Sequence, residues 1–151
     1  GATGTVIAEL YDATPTIAVG AITSRLVNVS VLKHLGAGLT AGFVIGDGSA
    51  KTVLIRAIGP TLGTVFGVDG VVADPQLTLF GANSTKIGEN DDWGGTPVLA
   101  AAFASVGAFA LPTRSHDAAL LTTLAPGNYT VQVRGEKTTT GIALVEVYEV
   151  P

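Results

Sequence analysis

The chain has 151 residues and a formal net charge of −4, with 47% hydrophobic and only 13% charged residues. This length is sufficient for one domain with its own core, and the acidic balance excludes the basic surface that nucleic-acid binding requires. The sequence contains no cysteine and no methionine, which excludes disulfide bonds and thiolate metal sites. Its longest apolar run, 98–106, is far shorter than the roughly 20 residues of a membrane span. We therefore predict a single domain that has no membrane span and binds no nucleic acid.

The first half of the chain is predicted to form short β-strands joined by turns. A first strand covers residues 5–12, and a second covers 25–32, where valines alternate with polar residues. Two further strands, 41–46 and 51–58, flank the sequence Asp-Gly-Ser at 47–49, which is typical of a tight hairpin turn. The sequence therefore predicts that these two strands form a hairpin.

The second half adds one predicted helix and five strands. Helix 97–106 is apolar nearly all round, so we expect it to be buried on most sides. Thr96 is its expected N-cap, Pro97 its first residue and Gly107 its stop signal. The strands are predicted over 76–80, 85–89, 117–124, 129–134 and 141–148. About nine strands with frequent turns indicate an all-β fold, a jelly-roll-like antiparallel β-sandwich with one short helix near 97–106.

The first dozen residues of the chain repeat the last dozen. Residues 3–12 align with residues 140–149 without a gap, and both segments contain the sequence Glu-x-Tyr. The match also preserves strand faces, because side chains on a strand alternate with a period of two. The predicted assembly strand comprises Val6, Ile7, Ala8, Glu9, Leu10 and Tyr11, and the matching C-terminal strand comprises Leu144, Val145, Glu146, Val147 and Tyr148.

This duplication points to assembly rather than catalysis. A chain that starts with a copy of its own terminal strand is most simply one period of a tandem array, or a subunit that lends a strand to its neighbour. We predict an N-terminal donor or linker strand at 1–14 and a β-sandwich module at 15–151. The alternative is that two similar amphipathic strands arose from common β composition.

Four motifs in the C-terminal half resemble the bacterial pre-peptidase C-terminal domain pattern. They are DPQLTLF at 74–80, NDDW at 90–93, DAAL at 117–120 and LAPGNYTVQV at 124–133. The first half, with SRLVNVS at 24–30 and LIRAIGPTL at 54–62, is similar to tandem repeats of large secreted bacterial surface proteins. The segment 93–110 is an insertion that the short form of the family lacks. The resemblance implies a secreted, non-catalytic accessory or structural module with a jelly-roll sandwich fold.

An acidic turn is the best candidate for a cofactor site. Asp91 and Asp92, with Asp117 and Asp74 nearby, carry the oxygen ligands that Ca²⁺ prefers, and calcium is the one candidate cofactor. The same carboxylates also suit a capping turn in which they accept backbone N–H groups. The sequence leaves both interpretations open.

The remaining candidate residues have a structural alternative in each case. Trp93 either stacks on a sugar ring or fills a gap in the core. The adjacent Ser115, His116 and Asp117 have the residue types of a catalytic triad. Neighbouring side chains on a strand point to opposite faces, so we predict that the protein is not an enzyme. The acceptor sequence for N-glycosylation occurs at Asn28, Asn83 and Asn128.

Two functional hypotheses follow from these observations. The first is an extracellular structural module on a bacterial cell surface, which assembles with copies of itself into a filament or tandem array through its N-terminal strand. The alternative is a non-catalytic module of a secreted enzyme that binds carbohydrate or protein, with calcium as a candidate requirement. The second hypothesis predicts an exposed Trp93.

Overall fold

The computed structural model describes residues 7–11, 26–46 and 48–151. These residues form eight β-strands and two short α-helices, besides single 3₁₀ turns at Ala82–Ser84 and Glu136–Thr138. In chain order the elements are β1 (Asn28–Leu35), β2 (Leu39–Ile45), β3 (Lys51–Ile58), α1 (Pro60–Phe66), β4 (Pro75–Phe80), β5 (Lys86–Asn90), α2 (Pro97–Ser105), β6 (Ala118–Leu124), β7 (Gly127–Gly135) and β8 (Gly141–Val150). None of the helices in this part of the chain has the length and apolarity needed to cross a membrane.

The strands form two antiparallel four-stranded sheets. The first sheet has the order β1-β8-β3-β6 and the second has the order β2-β7-β4-β5. Eight antiparallel strands whose chain passes repeatedly from one sheet to the other make a jelly roll. The predicted all-β sandwich is confirmed.

The predicted hairpin between 41–46 and 51–58 is wrong. β2 pairs with β7 in the second sheet, whereas β3 lies between β8 and β6 in the first sheet. The turn at 47–49, of which Asp47 lies outside the described residues, carries the chain from one sheet to the other. An Asp-Gly turn reverses the chain but does not select its partner, and β3 is buried on both faces from Val53 to Ile58. Such a strand requires a neighbour on each side and a cover on each face.

The helix near 97–106 is confirmed, but its predicted burial is wrong. α2 begins at Pro97, and the Thr96 hydroxyl accepts the Leu99 N–H at 3.4 Å, as expected of an N-cap. Only Ala102 and Phe103 are buried, while Val98 is 67% exposed. The helix rests on the first sheet along one narrow face, and its other alanines, at 100, 101 and 104, are exposed and serve as helix formers.

Two apolar cores lie on opposite faces of the first sheet. The inner core fills the space between the two sheets and includes Ile55 and Val145. The outer core lies beneath α1, α2 and the segment between them, and includes Leu54 and Phe103. β8 contributes to both cores, because its odd-numbered residues face the inner one and its even-numbered residues face the outer one.

The described part of the N-terminal segment is not paired to either sheet. Residues 7–11 have no regular secondary structure, and Ile7, Leu10 and Tyr11 are 81%, 70% and 77% exposed. Val6 and the other ends of the predicted strand lie outside the described residues. A β-strand requires a neighbour for its main-chain hydrogen bonds, so this segment stays irregular in the isolated chain.

Candidate assembly site

The candidate assembly site includes the position of β8 in the first sheet. β8 lies between β1 and β3, and its Glu146 stands opposite Ser30 on one side and Arg56 on the other. Leu144 and Tyr148 share the outer face with Glu146, whereas Val145 and Val147 face the inner core. The predicted assignment of β8 side chains to two faces therefore agrees with the structure.

A buried ion pair joins β8 to β3. The Arg56 guanidinium donates to Glu146 Oε2 through Nε at 2.9 Å and through Nη2 at 2.6 Å. Its Nη1 donates to the Phe109 carbonyl at 2.6 Å, and its carbon centre lies 4.9 Å from the Phe103 ring and 4.4 Å from the Phe109 ring. Arg56 is completely buried. The carboxylate of β8 is thus the counter-charge that permits a cation in the outer core.

Tyr148 completes this cluster at the open end of β8. Its hydroxyl donates to Glu146 Oε1 at 2.8 Å, and the Ser30 hydroxyl donates to the same oxygen at 3.4 Å. Burial, and then the hydrogen bond to Glu146, raise the pKa of Tyr148 to about 12. The phenol therefore remains protonated and acts as a donor at neutral pH.

The N-terminal segment contains the acidic half of the same cluster. The Tyr11 hydroxyl donates to Glu9 Oε1 at 3.1 Å, which is the same bond between residues two apart that joins Tyr148 to Glu146. Within the described residues, Glu9 has no cation beside it. In the part of the chain that the structure describes, the segment is therefore a copy of the β8 sequence without the arginine and the neighbouring strands that β8 has.

The edge of the first sheet at β1 is apolar. Among the described strands β1 pairs with β8 alone, and Val31 and Leu32 are 36% and 60% exposed. A groove of about 570 Å³ runs between β1 and the end of α2, and Tyr148 forms part of its wall. The last four residues of β8 are only half-buried. β8 is therefore least enclosed at its C-terminal end.

A second cluster lies at Asp74, Asp92 and His116. His116 Nδ1 is 2.8 Å from Asp92 Oδ1 and 4.0 Å from Asp74 Oδ2, and one ligand atom of each residue lies within 4.8 Å of the others. Asp74 Oδ1 is buried and has no hydrogen-bond partner among the residues that the structure describes. Burial, followed by repulsion from Asp91, raises the pKa of Asp74, and the hydrogen bond that His116 donates to Asp92 raises the pKa of His116.

The predicted metal ligands Asp91, Asp92 and Asp117 do not come together as one set. Asp117 is completely buried, and its Oδ1 accepts the backbone N–H groups of Gly59 at 2.8 Å and Thr61 at 3.4 Å. Its Oδ2 accepts the Thr61 hydroxyl. These bonds fix the start of α1, which is the capping interpretation. Asp91 and Asp92 are exposed, and Asp92 is grouped with Asp74 and His116 instead.

Trp93 packs in the outer core rather than against a ligand. It is 3% exposed, its ring lies 5.4 Å from that of Phe103, and its Nε1 donates to the Pro112 carbonyl at 2.9 Å. Ser115 also accepts from Nε1, at 3.2 Å, and so faces Trp93 while His116 faces Asp92. The predicted sugar-stacking role of Trp93 is corrected to a packing role, because neither ring face is open.

The three predicted glycosylation positions differ in accessibility. Asn83 is exposed at a 3₁₀ turn with φ of 55°, and Asn128 is exposed on β7. Asn28 is half-buried on β1 and donates to the Ser30 hydroxyl at 3.3 Å. Glycan attachment at these positions stays a prediction.

We expect the His116–Asp92 pair to make stability depend on pH. A histidine whose pKa is raised on folding contributes stability that is fully present below its unfolded pKa, about 6.5, and is lost as pH rises through the folded pKa. The urea midpoint should therefore fall between pH 6 and pH 8 by a larger amount in the parent chain than in His116→Gln. Asp92→Asn should reduce the difference in the same way. Parent-like pH differences in both variants would contradict the assignment.

The fold of the chain is similar to that of solved structures. No protein-family model and no curated protein matches the chain. Among solved structures, the chain is similar to the pre-peptidase C-terminal domain of collagenase from Bacillus anthracis. The sequence identity is 13% and the TM-score is 0.49, over 80% of this chain and 89% of that domain. That domain is of the class that the motifs in residues 74–133 resemble.

Proposed function

We propose that the protein is an extracellular structural module that joins to further modules by β-strand complementation. Residues 5–12 enter a sheet of another module, in a non-covalent filament or in a tandem array. The observation that carries this proposal is the state of residues 7–11. They repeat the side-chain alternation of the β8 sequence and its Glu-x-Tyr bond, yet they have no sheet partner among the described residues and expose three large apolar side chains.

The exposed segment gains free energy when a partner covers its apolar side chains. Complete burial of a side chain such as Ile7 or Leu10 stabilises by about 1.5–3 kcal/mol. Main-chain hydrogen bonds add affinity, and alternating side chains fix the register. The partner is a further module, because residues 7–11 pair with neither described sheet of their own chain.

The binding-module alternative has less support. It requires an exposed aromatic residue for a sugar ring, and Trp93 is buried. Calcium would require six to eight oxygen ligands, whereas the cluster at Asp74 and Asp92 includes a histidine nitrogen. The assembly hypothesis accounts for the exposed N-terminal segment, which the binding-module hypothesis leaves unexplained.

Removal of residues 1–14 is expected to abolish assembly while the module remains folded. The full chain should form filaments or large oligomers, because the Ile7–Tyr11 segment then finds a sheet in a neighbouring molecule. Negative-stain microscopy and light scattering on the full chain and on residues 15–151 measure the difference.

A point substitution on the segment gives the matched control. Leu10→Asp places a charge on the face that complementation buries, so it should act like the truncation, whereas Val98→Asp on the exposed face of α2 should leave assembly intact. The proposal fails if the full chain and the truncated chain are both monomers of equal stability.

A further inference from the structure

We infer that the acceptor for the N-terminal strand is the place of β8 itself, between β1 and β3 of a second copy of this module, where Glu9 binds Arg56. This inference rests on the proposed function and adds the acceptor site and the register. It makes the association an exchange of equivalent strands. It does not add a strand at an open sheet edge.

The N-terminal segment matches β8 in residue type on both faces of the strand. Ile7, Glu9 and Tyr11 correspond to the outer-face residues Leu144, Glu146 and Tyr148. On the inner face, Val6 takes the position of Ala143 and Ala8 takes the position of Val145. A valine and an alanine thus exchange places at two successive inner-face positions. Leu10 replaces Val147 and adds one methylene. Cores tolerate changes that conserve total volume.

The second argument is the charge of Glu9. Arg56 is the only completely buried cation among the described residues, and it requires a carboxylate on the strand beside β3. At any of the four sheet edges (β1, β6, β2 or β5) Glu9 would have no buried cation to meet. In the position of β8, the Glu9 carboxylate accepts two hydrogen bonds from the Arg56 guanidinium, and the Tyr11 hydroxyl still donates to Glu9.

The third argument is that the exchange has a defined register. With Glu9 in the place of Glu146, Ala8 stands opposite Ala57 on β3 and Val31 on β1. Directly opposed residues of an antiparallel pair have Cα atoms about 4.5–5.5 Å apart, which is within the range for a disulfide bond. Ala118 lies on the far side of Ala57, one strand further away, and is beyond disulfide reach.

Exchange must compete with the β8 of the same chain, which is present at a high effective concentration. Glu146→Gln weakens the resident strand selectively, because the N-terminal strand retains Glu9 as the better partner for Arg56. The half-buried C-terminal end of β8 gives the incoming strand a place to start. We therefore expect Glu146→Gln to promote association, and Glu9→Gln/Glu146→Gln to remove that effect.

The experiment uses the absence of native cysteine from the full chain. Ala8→Cys is combined with Ala57→Cys in the Glu146→Gln background, and the protein is refolded from urea at high concentration under oxidising conditions. We expect disulfide-linked dimers and higher oligomers on non-reducing gels. The matched control, Ala8→Cys with Ala118→Cys, should give at least about tenfold less product, which corresponds to a difference of 1.4 kcal/mol.

The outcomes separate the acceptor assignment from the proposed function. Equal or greater cross-linking to position 118, in a protein whose assembly still depends on residues 1–14, overturns the acceptor and leaves the proposed function standing. Assembly that does not depend on residues 1–14 overturns both. If Glu146→Gln fails to refold, the same cysteine pairs in the Glu146 chain provide the test, and a lack of preference for position 57 over position 118 overturns the inference.

Discussion

Glu146→Gln should lower the free energy of unfolding by about 3–5 kcal/mol, because it leaves the buried Arg56 without a counter-charge. The lost carboxylate also accepts bonds from Tyr148 and Ser30, so three donors lose their charged acceptor at once. Urea unfolding monitored by circular dichroism measures the change. The shift should appear in the midpoint with an unchanged slope, since the exposed surface of the unfolded chain is the same.

The chain contains its own control for this prediction. Glu9→Gln is the same chemical change in the copied sequence, but residue 9 is exposed, so dilute protein should lose no more than about 0.5 kcal/mol. Removing the charge pair as a whole is a further check. Arg56→Met with Glu146→Leu should recover most of the lost stability, because apolar residues of similar volume replace a buried pair well. Equal stability of Glu146→Gln and Glu9→Gln would refute the structural role of the pair.

Alternation and capping residues made much of the fold predictable from the sequence. The strand β1 and the Thr96-Pro97 start of α2 appear in the structure within a few residues of their predicted places. Both features are local, since they depend on side-chain period or on a hydrogen bond between residues three apart. The faces of β8 were predictable for the same reason.

Partner choice was not predictable, because it depends on residues far apart in the chain. The Asp-Gly turn before β3 indicated a reversal, but the destination of β3 is set by the two cores that cover its faces. Asp117 could be recognised as a carboxylate but not as an inward-facing one, since its partners at Gly59 and Thr61 are distant in sequence. α2 shows the reverse case, where apolar composition overstated burial.

The ion pair between Arg56 and Glu146 was missed, although the sequence contains a signal for it. Each residue is the one charge in an otherwise apolar stretch of its strand, VLIRAI in one case and IALVEVY in the other. Lone opposite charges in two buried strands are costly unless they meet, so their joint presence predicts that the strands are neighbours. The same reasoning applies to Glu9, whose strand has the same composition and no arginine of its own.

Asp117→Ala should lower the free energy of unfolding by about 3–5 kcal/mol, because two backbone N–H groups and the Thr61 hydroxyl would remain buried without an acceptor. The backbone of Gly59 also packs closely against the Val72 carbonyl, where a Cβ would collide with the oxygen. Thermal and urea unfolding measure the loss.

The effect of calcium on stability distinguishes this structural role of Asp117 from its predicted role as a metal ligand. If Asp117 serves only to hold the start of α1, the loss is the same in calcium and in EDTA, and Asp91→Ala changes stability by no more than about 0.5 kcal/mol because Asp91 is exposed. A shared calcium site would give a different pattern: calcium would stabilise the parent chain, and both substitutions would remove that response. The geometry favours the first pattern, since both Asp117 oxygens already accept hydrogen bonds from the start of α1.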